Sequence, residues 1–311
     1  MPLEESSFPE GGSSVAEIVY AVRSMYERHP FSPMQRKNSY RHHAAYVRQF
    51  LRERGIQPNN MKFGDIACGI GLMMLDYARE FPEATFVGYD ISEPSVKLVD
   101  TMLEQEGITN ARAHVLDITK LEAKDEFDYI VSWGTLPHLP YPPQGIAALC
   151  RALRSGGILL RIGVYGFYGN QERRIQRETI RTILEGTSRN DALRIEAVGV
   201  WARGDPNFKN QYTAPFIDLE DDNWVVDEFL HVWEQHLRLK DVVSWLRGEG
   251  MHILRMTDYY NEEIPLHIAQ YPRNPAFIAM VEKLAYESQC HIIDMIARSY
   301  WLSVFAEKAY E

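Results

Sequence analysis

Cysteine is scarce in this chain. Cys68, Cys150 and Cys290 are spread across 311 positions, and no two of them form a Cys-x-x-Cys pair. That argues against a disulfide scaffold or a zinc ribbon and fits a reduced, cytoplasmic setting. Long apolar runs are also missing: no window nears the roughly 18–20 uninterrupted apolar residues that span a bilayer, so no membrane association is expected. The opening segment, MPLEESSFPEGGSS, lacks the hydrophobic stretch of a secretory leader and reads as a short disordered lead-in over 1–14. Positive charge is in deficit, with a formal net charge of −10. A broad nucleic-acid surface needs a surplus of Lys and Arg, so a nucleic-acid partner is disfavoured, although a local basic groove stays open. What remains is 45% hydrophobic and 24% charged, an ordinary globular composition with enough length to bury a full core.

The most informative stretch is Phe63–Gly71, FGDIACGIG, where a short apolar strand runs into a glycine-rich turn. An amphipathic segment, Leu72–Phe81, follows, and a second strand, Ala84–Asp90, ends on an acid 19 positions after Gly71. Further strands are expected at Ala111–Leu116, Phe127–Ser132 and Gly157–Val164, with helices at Glu93–Glu106 and Tyr141–Leu153 between them. Such alternation predicts a doubly wound, mostly parallel sheet whose ligands bind beyond the strand carboxyl ends. Ser14–Glu27 and Tyr40–Arg54 read as leading helices. After Val164 the pattern changes: Gly169–Gly186 reads as a charged helix and Asn190–Arg203 is ambiguous. Sheet character resumes with a helix at Arg238–Arg247 and a strand at His252–Met256. The tail Pro275–Glu311 reads as helical throughout. The divisions that follow are an amino-terminal helical lid (15–56), a nucleoside-binding core (57–166), a capping insertion (167–237) and a completion of the core (238–311).

Gly69 and Gly71 suit a turn where backbone must approach a ligand and a Cβ would collide. Asp90 suits the two hydroxyls of a ribose, and Asp117, with Ile118 beside it, an adenine. A dinucleotide would favour a third glycine where Met74 stands, and a phosphate loop would need Gly-Lys-Ser/Thr, which is absent. An acid such as Asp65 at the strand end repels a diphosphate and favours a cation, which points to S-adenosylmethionine.

Taken in order, these motifs resemble the class I S-adenosylmethionine-dependent methyltransferases. Gly64-Asp65-Ile66-Ala67-Cys68-Gly69-Ile70-Gly71 is similar to their first motif, Asp90 falls at their ribose-binding acid, and Leu116-Asp117-Ile118 at their adenine contact. Phe127–Ser132 resembles their fourth strand, and Leu153–Leu159 their Leu-x-Pro-Gly-Gly turn, with Ser155 in place of proline. Ser132–Leu139 resembles a subgroup with a Val-Leu-His-His loop, of which only the second histidine, His138, is present. The resemblance covers residues 60–166. It implies a Rossmann-like α/β fold with a seven-stranded sheet and helical lid or insertion elements, and methyl transfer to a small-molecule acceptor by N-, O- or C-methylation. Cofactor contacts are expected from Asp65, Ala67, Gly69, Gly71, Asp90, Ile91, Asp117, Ile118, Ser132 and Trp133. Methylation of a protein or RNA, or a subunit that binds the cofactor without turnover, are the alternatives.

The activated donor leaves the protein mainly the task of positioning an acceptor about 3–3.5 Å from the methyl carbon. His138, after the fourth strand, is the candidate general base, with a second role open as a histidine that fixes the loop around Trp133. Asp227 and His231, four apart on a helix, either orient an acceptor together or form a surface ion pair on a packed helix. A zinc site from Asp227, His231 and His236 is disfavoured because His236 falls off their face, and no metal is expected. Between Ala214 and Gln235 lie seven acidic residues and no Lys or Arg, interleaved with Phe216, Trp224, Phe229 and Trp233. That composition suits either a cationic acceptor or a solvated helix over a buried aromatic stripe. The resemblance implies that the amino-terminal segments carrying Tyr26 and Tyr40 close over the cofactor, where Arg36, Arg41 and Tyr40 are candidates to hold a carboxylate; a surface helix with ordinary charges is the alternative. Tyr165 and Tyr168, beyond the fifth strand, are expected in the same cavity. A homodimer is compatible with all of this.

Overall fold

The structure is a computed structural model and describes residues 14–31, 40–155, 159–185, 190–205, 208 and 219–309. Seven strands form one sheet: β1 (Lys62–Ile66), β2 (Thr85–Asp90), β3 (Ala111–Val115), β4 (Tyr129–Trp133), β5 (Leu159–Tyr165), β6 (Met251–Thr257) and β7 (Trp301–Lys308). Their order is β3-β2-β1-β4-β5-β7-β6, parallel from β3 through β5, with β7 antiparallel to both neighbours. This is the mostly parallel, seven-stranded, doubly wound arrangement expected from the sequence. Strand order reverses between β1 and β4, so their carboxyl ends open the crevice in which ligands of such sheets bind.

The flanking helices are α1 (Val15–Arg28), α2 (Arg41–Glu53), α3 (Leu72–Glu80), α4 (Glu93–Gln105), α5 (Pro142–Ala152), α6 (Gln171–Ile183), α7 (Asp191–Gly204), α8 (Asp222–Phe229), α9 (Leu239–Gly248), α10 (Pro275–Val281) and α11 (Tyr286–Ala297). Local chemistry starts several of them. Ser14 and Glu17 form a reciprocal capping box on α1, Ser92 caps α4 through the Ser95 amide, and Asp221 caps α8 through the amides of Asn223 and Trp224. One buried cluster joins Ile130, Ile162 and Val304 of the sheet to α5, α9 and α11; a second joins Phe63, Phe86 and Tyr129 to α2, α3 and α4. None of the helices among the described residues is long and apolar enough to cross a membrane.

Two differences from the sequence reading have physical causes. The tail is helical only to Ala297. Arg298 then adopts a left-handed conformation (φ 46°), which ends α11 and turns the chain into β7. Trp301–Ala306 (WLSVFA) pairs between β5 and β6 and is buried on both faces, so it shows no polar alternation to mark it as a strand. The two amino-terminal helices also separate. α2 packs on the sheet through His43, Val47 and Phe50, whereas Met25 of α1 packs with Ile180, Val198, Trp224 and Phe229 of the insertion helices.

Candidate active site

A cavity lies at the β1–β4 switch point, walled by the turn after β1, the ends of β2 to β5, α1, and residues from α6, α8 and the carboxyl-terminal segment. The turn after β1 makes close approach possible. Ala67, Gly69 and Gly71 all have positive φ, at 64°, 54° and 77°. Gly69 lines the cavity, while a Cβ on Gly71 would sit 2.9 Å from a Val99 methyl. The Gly69 amide donates to Asp90 Oδ2 (2.8 Å) and the Ser92 amide to Asp90 Oδ1 (2.9 Å), which ties the turn to the tip of β2. Asp117 Oδ1 accepts from the amide and hydroxyl of Thr119, capping the short 3-10 turn Ile118–Lys120.

Asp65, Ala67, Gly69, Asp90, Ile91, Asp117, Ile118 and Trp133 all face this cavity. Asp65 is buried, and its Oδ2 has no hydrogen-bond partner among the described residues. Burial, and then the charge of Asp90, push its carboxyl up to about 7. A buried carboxylate oxygen left open toward a cavity fits a cationic group and opposes an anionic one. Two residues expected here lie elsewhere. Gly71 stands at the start of α3, where its freedom serves the left-handed turn and packing on Val99. Ser132 is fully buried inside β4, because alternation along the strand turns it away from the cavity.

The other end of the cavity is lined by Tyr26, Tyr40, His138, Tyr165, Arg173, Trp224 and Asp227, with Tyr259 and Trp301 from the carboxyl-terminal segment. Tyr26 Oη donates to Asp227 Oδ1 (2.8 Å) and contacts His231 Nε2 (3.2 Å). The Trp233 amide donates to His231 Nδ1 (3.0 Å), so the neutral ring carries its proton on Nε2 and donates it to Tyr26. His138 stacks on His231 with centroids 3.9 Å apart, and its Nδ1 donates to the Trp233 carbonyl (3.2 Å). Burial, ahead of neighbouring charges, lowers the His138 pKa to about 4 and that of His231 well below the usual histidine value. Burial raises Asp227 to about 7.

Asp227 and His231 are therefore a buried pair bridged by a tyrosine, not a surface ion pair. His231 stands behind Tyr26 rather than in the cavity wall. Ligand atoms of His138, Asp227 and His231 do come within 4.8 Å of one another. With Nδ1 accepting from a backbone amide and Nε2 protonated toward Tyr26, however, His231 offers a metal no lone pair. His236 turns away to Glu234 (3.5 Å).

Two acceptor-side candidates are displaced. Arg41 lies 75% exposed beside Asp76 (3.7 Å), and Tyr168 Oη is hydrogen-bonded to His291 Nε2 (2.7 Å); neither lines the cavity. Arg36, Phe216 and Asp218 lie outside the described residues. Sequence reasoning missed Arg173, which pairs with Glu228 (3.1 Å) and Glu234 (2.8 Å) and stacks on Tyr165 (4.3 Å). The Arg173/Arg177 spacing on one face of α6, set against acids with no cation near them, was the available signal. It also missed Trp301, which lies tilted against Trp133 (centroids 4.7 Å apart) above Gly163, where a Cβ would come within 2.6 Å of both rings.

A family model described as a methyltransferase domain matches residues 58–186. An uncharacterized protein of Synechococcus sp. is 26% identical over 257 residues, which is 78% of this chain and 60% of that one. Trans-aconitate 2-methyltransferase of Deinococcus radiodurans is 35% identical over 98 residues, 30% of this chain and 34% of the enzyme. PKMT2 from Rickettsia typhi, solved in complex with AdoHcy, shares the fold with a TM-score of 0.62 at 17% identity, over 85% of this chain and 52% of that one. The chain thus spans about half, or somewhat more, of the length of the Synechococcus and Rickettsia proteins.

Proposed function

We propose, from the match of residues 58–186 to a methyltransferase-domain model and from the cavity described above, that this chain is a class I S-adenosylmethionine-dependent methyltransferase that transfers a methyl group to a small-molecule acceptor. When bound, that cofactor supplies an electrophilic methyl on a sulfonium, and the protein's part is orientation and electrostatics. Asp65 Oδ2 would take the cofactor's ammonium, Asp90 its ribose hydroxyls, and Asp117 with Ile118 its adenine, around the Gly69 turn. The observation that carries the reading is the buried Asp65 oxygen, without a partner among the described residues, in one cavity with Gly69, Asp90 and Asp117.

A small acceptor suits the far end of that cavity, because α1 and the insertion helices stand over it through the cluster of Met25, Ile180, Trp224 and Phe229. His138 and Asp227 would face the acceptor there. Three free cysteines, two of them buried, suit a reducing, cytoplasmic setting. The test is incubation of the full chain with methyl-labelled S-adenosylmethionine and fractionated cell extract. Label is expected in the small-molecule fraction and lost in Gly69→Val. Label found only in protein or RNA, or in no fraction, contradicts the proposal.

A further inference from the structure

We infer that the acceptor is a primary or secondary amine whose nitrogen sits between Asp227 and His138, an assignment that rests on the methyl-transfer reading above. The hydrogen bonds at this corner fix what is left to offer. The His231 Nε2 proton goes to Tyr26 Oη, the Tyr26 proton goes to Asp227 Oδ1, and the His138 Nδ1 proton goes to the Trp233 carbonyl. The protons of His231, Tyr26 and His138 are thereby taken up within the corner, which leaves Asp227 Oδ2 and His138 Nε2 as acceptors for a ligand. No ion pair holds Asp227 among the described residues. A carboxylate oxygen of Asp227 and a ring nitrogen of His138 come within 4.8 Å of each other, near enough for one atom to bridge them.

Donor counting separates the acceptor classes. A primary or secondary ammonium carries at least two N–H donors and satisfies both atoms at once. An alcohol or phenol carries one and leaves a buried acceptor unpaired, and a carboxylate carries none and meets the charge of Asp227. The cation lining this end, Arg173, is paired to Glu228 and Glu234 and so is poorly placed to recruit an anion. Aromatic faces at Tyr26, Tyr165 and Trp224 add attraction for a positive nitrogen.

The same placement supplies a route for the proton. The ammonium gives one proton to Asp227 Oδ2, which leaves a neutral amine and a carboxylic acid. The freed nitrogen lone pair forms the N–CH3 bond as the S–CH3 bond breaks, with that electron pair staying on sulfur. The products are a methylated ammonium and a neutral thioether, so charge and atoms balance. Asp227, raised to about 7 by burial, is suited to take that proton near neutrality. Tyr26 and His231 act on it as positioning residues.

The test uses the full chain loaded with AdoHcy and three probes that share a ring and differ only in the head group: benzylamine, benzyl alcohol and benzoate. Calorimetry should show benzylamine binding at least tenfold more tightly than benzyl alcohol, with no benzoate uptake. Asp227→Asn should lose at least tenfold in benzylamine affinity while keeping AdoHcy affinity. Equal or tighter binding of the alcohol or benzoate, absence of benzylamine uptake by the loaded protein, or unchanged benzylamine affinity in a folded Asp227→Asn chain would each overturn the inference. The three-probe ranking needs no variant, so it decides the matter even where the substitution disturbs folding. Failure of the wild-type chain to take up AdoHcy at all would instead strike at the methyl-transfer reading itself.

Discussion

Asp65 and Ala67 stand two residues apart, and each holds an unfavourable state that a ligand-binding turn explains. Asp65 keeps a buried carboxyl with one oxygen unpartnered among the described residues, and burial raises its pKa to about 7. In the free protein it is largely protonated about one pH unit below that value and largely ionised about one unit above. A cationic cofactor favours the ionised form, so binding should release protons and affinity should climb between about pH 6 and about pH 8, by at most about tenfold per unit. Asp227 titrates over the same range; Asp65→Asn removes the Asp65 share, and calorimetry in buffers of different ionisation enthalpy should show less proton release as well as weaker binding. Proton release equal to that of the wild type would dissociate Asp65 from the ligand. Ala67 holds φ at 64° without being glycine, a conformation that costs an L-residue on the order of 1–2 kcal/mol. Ala67→Gly should therefore raise unfolding stability, by about 0.5–1 kcal/mol after glycine's greater unfolded-state entropy is set against the relief. A loss of stability in denaturant titration would contradict that account. The residues of this turn were legible in the sequence because glycines and strand-end acids act within a few positions of one another. The strain at Ala67 was not, since alanine gives no sign of a left-handed backbone.

At the scale of elements, β5 carries a feature that local sequence could not show. Arg161 is fully buried, with no carboxylate partner among the described residues. Its guanidinium donates to Ser303 Oγ of β7 (3.0 Å), Tyr77 Oη of α3 (3.2 Å) and Asn261 Oδ1 (2.6 Å), contacts His43 Nδ1 of α2 (3.0 Å), and lies over the ring of Trp133 (4.8 Å). One cation thus links two helices, two strands and the loop after β6 behind the cavity wall. Arg161→Met fills similar space but strands those acceptors, and should cost on the order of 3 kcal/mol in unfolding free energy. A cost under about 0.5 kcal/mol, typical of an inert surface site, would show that the guanidinium is not a tie. The βα units around it were readable because each strand, turn and helix is defined by its own short run. β7 was not, because burial on both faces erases polar alternation and leaves a segment that continues the apolar content of α11.

The whole molecule joins a legible half to an illegible one. The doubly wound core follows from alternation along the chain, and its switch point fixes where a ligand lies. The cap follows from contacts between distant positions: Tyr26 and Asp227 are separated by 201 residues, yet they share a hydrogen bond at the far end of the cavity. Sequence reading paired Asp227 with His231 but could not join either to Tyr26 or His138, because spacing at α8 says nothing of α1. The same distance explains why Arg41 and Tyr168 turned away, toward Asp76 and His291, partners invisible in the linear sequence. The central claim is that the glycine turn and the three acids enclose an adenosyl sulfonium. Equilibrium titration of the full chain with S-adenosylmethionine, and in parallel with NAD, tests it most directly. The account predicts saturable uptake of S-adenosylmethionine at a single site and none of the dinucleotide. Uptake of the dinucleotide alone, or of neither ligand, would contradict it.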